Sequence, residues 1–210
     1  MRNLSYNGAS LMDYLRSLPD SAVRGAVNLI YKPVKDTVLL ANGNTEGSFF
    51  TATQFAGGAN KTKLETNMEA PGRGIFGNAV AWIVGMRWVM PRRLADGTTG
   101  LTEPNAHNLL LAIAELKIDG KRVHRAVDVE ELPQGRGLFQ QTAEAASTIN
   151  VWCNGVPEVD NRFIFEEPIE YLPQESIEVL TTYPGAAGVV LTANAKATMI
   201  LDAFVAEVPR

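Results

Sequence analysis

The apolar residues of this chain change their period near residue 26. Before that point Leu11, Leu15 and Leu18 fall three or four positions apart, the spacing of one stripe along a helix. Ser10 is placed to cap that helix, with Asp13 three residues on. Pro19 ends it, because proline has no N–H to donate and its ring blocks the preceding turn. Residues 1–25 therefore read as an N-terminal arm carrying a short amphipathic helix.

From residue 26 onward the period is two. Ala26–Tyr31 and Thr37–Ala41 read as strands around Lys32-Pro33, with a turn at Asn42-Gly43-Asn44. Ser48–Phe55 is rich in aromatic and β-branched residues, Gly57-Gly58-Ala59-Asn60 breaks it, and Thr62–Thr66 is read as a further short strand. Val80–Met90 is the strongest strand signal. Strict alternation puts Val80, Trp82, Val84, Met86, Trp88 and Met90 on one face, and Ala81, Ile83, Gly85, Arg87 and Val89 on the other. Pro91–Asn105 reads as a loop. Leu109–Ile118 has helical propensity, but Asp119-Gly120 between two apolar runs is a strong hairpin signal and decides for two strands.

Beyond that hairpin, Leu132–Gly137 reads as a turn and Phe139–Ala146 as one or two helical turns. Thr148–Cys153, Arg162–Phe165, Ser176–Thr182, Val189–Ala193 and Thr198–Val208 read as strands, with turns at Asn154-Gly155 and Pro184-Gly185. Strands follow one another at short intervals with no helix between parallel pairs. The predicted fold is all-β, a two-sheet antiparallel sandwich over residues 26–210.

Composition narrows the function. The 210 residues are 46% hydrophobic and 20% charged, enough apolar material for a core without staples. A net charge of −4, with no basic block, argues against a nucleic-acid partner. A single cysteine excludes a disulfide framework, and two histidines are poor stock for a metal enzyme. The longest apolar run, Ile75–Met90, is interrupted by Asn78 and Arg87 and is too short to span a bilayer. No leader pattern opens the chain, so a soluble protein made in a cytoplasm is expected.

Each residue that could carry chemistry has a plainer reading. His107 and His124, on a loop and a hairpin arm, read as surface histidines. Cys153 reads as a buried thiol without the histidine that would activate it. Glu130-Glu131 and Glu166-Glu167 are sequence neighbours, so on a strand they point to opposite faces and cannot oppose each other across a cleft. Gly72-Arg73-Gly74 lacks the lysine and spacing of a phosphate loop. No catalytic, cofactor or metal residue is assigned, and no enzyme is expected. The better candidates are interface residues: Arg87, Trp88, Arg92 and Arg93 in and after the long strand, and Leu11 and Leu15 on the arm. Trp152 is the aromatic on which a sugar would stack.

Several segments carry a family resemblance. They are Thr62–Gly72 leading into the long strand, the hairpin Ile118-Asp119-Gly120-Lys121, the loop Leu132–Gly137, the segment Tyr171–Val179 and the closing strand. Together, over roughly residues 48–208, the chain resembles the single jelly-roll capsid proteins of tailless icosahedral bacterial viruses. The resemblance implies a jelly-roll sandwich and a structural virion protein, a major or minor capsid subunit that assembles with copies of itself. Other capsid proteins and an inner viral membrane are the further partners it implies, with the virion as location. The rival reading is a decoration, tail-fibre or carbohydrate-binding module. A cupin-like enzyme would need a cluster of histidines and carboxylates that the sequence lacks.

Overall fold

The computed structural model describes residues 28–55, 57–89, 103–122, 127–132, 139–142, 150–153 and 163–207. The predicted helix of the arm, with Leu11 and Leu15, lies outside these residues, as do Arg92, Arg93, His124 and the Asn154-Gly155 turn.

Within them the chain is mostly antiparallel β-structure in two main sheets. Strands β1 (Asn28–Tyr31) and β2 (Val34–Leu40) lie end to end along one edge of the first sheet, separated by Lys32-Pro33. Both pair with β12 (Ala195–Glu207), whose far side pairs with β4 (Ala81–Val89). On the other side of β4 comes β10 (Phe163–Tyr171). The second sheet runs β3 (Glu46–Phe49), β11 (Ile177–Thr182), β5 (Ile113–Ile118), and then the short β6 (Lys121–Arg122) and β7 (Val127–Asp128), which share the outer side of β5. A separate pair joins β8 (Phe139–Thr142) to β9 (Asn150–Cys153). Every pairing is antiparallel.

The sheets pack face to face over one core. Ala81, Ile83, Met86, Trp88, Met199 and Leu201 of the first sheet meet Phe49, Ala114, Leu116, Ile177 and Val179 of the second. Trp88 packs edge-on against Phe49 at 5.8 Å between ring centres, a favoured aromatic geometry. The hairpin forms at Asp119-Gly120 as the sequence predicts: both residues have positive φ, 48° and 71°, and Ile118 faces Lys121 across the turn. Such a two-residue turn matches the twist of the strands it joins.

Other expectations are corrected. Glu103–Leu110 is a helix, α1, in place of the end of the predicted loop and the start of the predicted strand. Pro104 is tolerated in its first turn, and Ala106, Leu109 and Leu110 bury one stripe in the core. Phe139–Thr142, read as helical, is a strand because it pairs with β9. Val189–Ala193 makes no strand; its Val189 and Leu191 are buried, but their backbone bonds go to Gly43, Asn44 and the Asn42 side chain. Ser48–Phe55 is a strand only as far as Phe49, because Phe50 has φ of +69° and turns the chain away from the sheet. Thr62–Thr66 is a single turn, with the Thr66 N–H donating to the Thr62 carbonyl.

The most instructive correction concerns β4. Strict alternation placed Trp82 and Trp88 together, yet Trp88 is in the main core and Trp82 on the opposite face. The ladder explains it. Ile83 faces Ala203 and Gly85 faces Asp202, which leaves Val84 as an extra residue, a β-bulge. One inserted residue reverses the phase of everything after it. Gly85 belongs to the same irregularity. A Cβ there would sit 2.3 Å from the Phe163 carbonyl oxygen of β10, so only glycine lets that strand approach.

Candidate interaction surfaces

The described residues bring no set of histidines, cysteines and carboxylates together in a way that could hold a metal ion. His107 is exposed on α1, Glu130 and Glu131 are exposed on the 3-10 turn Val129–Glu131, and Glu166 and Glu167 are exposed in the middle of β10. Cys153 and Trp152 lie on β9. Among these residues no helix is long and apolar enough to cross a membrane. Among the described residues the arrangements of note are faces and edges.

The two outer faces differ. On the second sheet, Glu115, Lys117, Glu178 and Ser48 look outward. Ser48 donates to Glu178 at 2.6 Å, and Lys117 lies 3.8 Å from Glu115. That face is polar and part-exposed. The first sheet instead carries a second apolar cluster opposite the sandwich interior: Leu29, Trp82, Val84, Phe204 and Ala206, all buried, with Val80 beside them.

Next to that cluster sits the predicted interface residue Arg87. It clamps Asp202 with two bonds of 2.7 Å, from Nε and from Nη2. Tyr31 lays its ring against Phe204 and donates its hydroxyl to the same carboxylate at 2.5 Å. Burial alone would lower the Arg87 pKa, but the hydrogen bonds and charge of Asp202 outweigh it and hold it above the usual guanidinium value. Arg87 thus spends its fork inside its own chain. Trp88 is fully buried in the core and has no surface to present.

The edges carry the second arrangement of note. Beyond Phe50 the chain makes a hairpin-like excursion over residues 52–61. Lys61 N–H donates to the Thr53 carbonyl at 2.8 Å, and Gln54 bridges to Asn60. Lys61 then turns its ammonium group inward, where it bonds both oxygens of Asp36 (2.8 and 2.9 Å) and the Ala52 carbonyl (2.8 Å). The two side chains are 2% and 0% exposed. Asp36 also accepts the Phe50 N–H at 2.8 Å, which helps hold that residue's positive φ. Sequence reasoning missed this pair, since nothing in the spacing of Asp36 and Lys61 brings them together.

The following turn has a legible origin. Thr62-Lys63-Leu64-Glu65 is a capping-box pattern, and Glu65 Oε2 accepts the Thr62 N–H at 2.8 Å. The turn lays residues 65–67 against β2. Asn67 Oδ1 accepts the Lys35 N–H (2.6 Å), Asn67 Nδ2 donates to the Pro33 carbonyl (3.0 Å), and Asn67 N–H donates to the Lys35 carbonyl (3.3 Å). On the outer side Lys196 bonds Glu65 at 2.5 Å, and the Thr37 hydroxyl donates to the Glu65 carbonyl. Burial would raise the Glu65 pKa, but the bonds from Lys196 and Thr62 prevail and hold it below the usual carboxylate value. Phe55 stands between the two lysines, 4.9 Å from Lys196 and 5.7 Å from Lys61, within cation–π range.

Comparison of the chain with protein-family models, with curated proteins and with solved structures finds no match in any of the three.

Proposed function

We propose that this sandwich is a jelly roll and that the protein is a structural subunit of a virion, a major or minor capsid protein that assembles with copies of itself. The observation that carries the reading is the strand order. Counting β1 with β2 and β6 with β7 as single positions, and leaving aside the β8–β9 pair, the chain has eight positions in two sheets. The first sheet runs first, eighth, third, sixth; the second runs second, seventh, fourth, fifth. All but one of the successive connections cross from one sheet to the other. That order supports the reading of two Greek keys wound into a jelly roll, an architecture used by capsid, lectin and cupin domains.

Among those uses, the shell subunit is favoured by how the charged groups are employed. The buried charges Asp36 and Asp202 are each committed to a bond within the fold, with Lys61 and Arg87 respectively. They do the work of a scaffold, as the charges of a structural subunit would. Other capsid proteins and a viral membrane are the further partners in this reading, and the virion is its location.

The test is the assembly state. The purified chain is expected to form shells or closed oligomers, seen by electron microscopy and sedimentation. A protein that stays monomeric at high concentration and high salt overturns the reading. Saturable glycan binding by such a monomer would move the assignment to a carbohydrate-binding module.

A further inference from the structure

We propose that the edge of β2 is a pairing surface for a second copy of this chain, kept covered by residues 61–67, and that the Asp36–Lys61 pair is the latch on that cover. The pairing does not depend on what the sandwich builds.

The edge itself is regular. From Val34 facing Leu201 to Leu40 facing Ala195, seven residues of β2 pair with β12 without a register shift. In an antiparallel ladder alternate residues turn both backbone groups away from the partner. Lys35 is one of these, since its N–H and carbonyl both go to Asn67. Thr37 and Leu39, two and four residues on, share its orientation. Such a row of backbone groups is a template for another strand. No other edge among the described strands is as long and regular. β3 has four residues, β6 and β7 two each, and β10 is broken by a register shift between Ile164 and Ile169.

The cover imitates a strand at one point only. Asn67 accepts from and donates to the edge as a partner residue would, but the rest of the segment is held by side chains. Lys61 anchors it on the inner side of β2, while Glu65 anchors it on the outer side through Lys196 and Thr37. The segment therefore wraps the edge and is fastened at both ends. Releasing either end frees the backbone beneath.

A second copy suits the uncovered edge. Antiparallel pairing of β2 with itself about Thr37 sets Lys35 against Leu39, Asp36 against Val38 and Val34 against Leu40. No like charges meet, and apolar residues face one another across the seam. The contact is isologous, so it closes as a dimer.

The decisive experiment places reporters across the seam. Lys35→Cys and Leu39→Cys, which flank Thr37 and face each other in the proposed pairing, are made in separate Cys153→Ser chains and mixed, with the cover intact or loosened by the changes Glu65→Ala and Asn67→Ala, and the Lys35 amide is followed in the Leu39→Cys chain. Loosening should speed exchange of the Lys35 amide at least tenfold and allow a disulfide cross-link between the introduced thiols of two copies under mild oxidation. The intact form should give neither. Lys61→Met, which opens the latch from inside, should give the same cross-link wherever it remains folded, and the surface pair decides the matter if it does not. An unchanged Lys35 exchange rate in the loosened form overturns the role of the cover. Faster exchange without the cross-link overturns the pairing with a second copy.

Discussion

The two edges of the first sheet meet the same hazard in different ways. β2 runs for seven residues in unbroken register, and the cover laid over it comes from another part of the chain. β10 is longer, at nine residues, but carries its protection within itself. Pro168 interrupts it, Glu166 and Glu167 stand exposed beside the proline, and the register with β4 shifts between Ile164 and Ile169. Proline, charge and bulges are the ordinary means of blunting an edge. A regular strand gains a good ladder and needs a separate guard. An irregular strand gives up part of its ladder and guards itself.

The sharpest way to break this contrast is to remove the guard's inner anchor. Lys61→Met leaves Asp36 buried with the Phe50 N–H as its remaining donor, and an orphaned buried charge costs about 3–5 kcal/mol. Urea unfolding should show a loss of that size. The double variant Asp36→Asn/Lys61→Met should recover most of it, because removing both partners leaves no unpaired charge. A single variant that loses under ~1 kcal/mol, against the larger cost of orphaning a buried charge, would mean that the pair is not holding the segment.

At the other edge the corresponding weak point is Gly85. A methyl group there collides with the Phe163 carbonyl, and overpacking of this kind costs about 1–3 kcal/mol. In Gly85→Ala the damage should be local. Amides of Phe163–Phe165 should exchange faster while the Lys35 amide keeps its protection. Equal loosening of both edges would show that they are not independently secured.

How far this contrast can be read from sequence follows from the range of the interactions. Alternation, the Asp119-Gly120 hairpin and the closing strand were legible because their signals lie within a few residues. So was the all-β class. The bulge at Val84 was not, since it is decided by where β12 and β10 fall against β4, and both lie far downstream in the chain. That one unseen residue put Trp82 on the wrong face. The turn at residues 62–66 has a local signal, the Thr62–Glu65 capping box, but Thr62 and Thr66 suit a strand equally well. The latch left no local trace. Asp36 is 25 residues from Lys61, and on a strand an isolated aspartate reads as solvent-facing until its partner is known.

Acid should loosen the guard before it unfolds the sandwich. Glu65 has its folded pKa below the ordinary value of 4.5, which the unfolded chain recovers. Its stabilising bonds are therefore fully present above pH 4.5 and are lost as the pH falls through the folded value. Lys35 amide protection, corrected for intrinsic exchange, should drop in that range, and Lys196→Met should flatten the drop. Protection that is independent of pH in the parent protein would mean that Glu65 does not anchor the outer end.

The smallest effect tests redundancy. β10 is protected by its proline, its glutamates and its register shift, so repairing one of them should change little. Pro168→Thr should alter stability by no more than about 0.5 kcal/mol and should leave the sedimentation profile as it was. The glutamates would still repel a second strand, and the shift between Ile164 and Ile169 would still misalign it. Among the described residues β2 has one guard, and opening it should suffice to expose the edge. Association of the Pro168→Thr variant through β10 would show that the proline alone protects that strand, and the contrast between a guarded edge and a self-protecting one would then reduce to two single safeguards of different kinds.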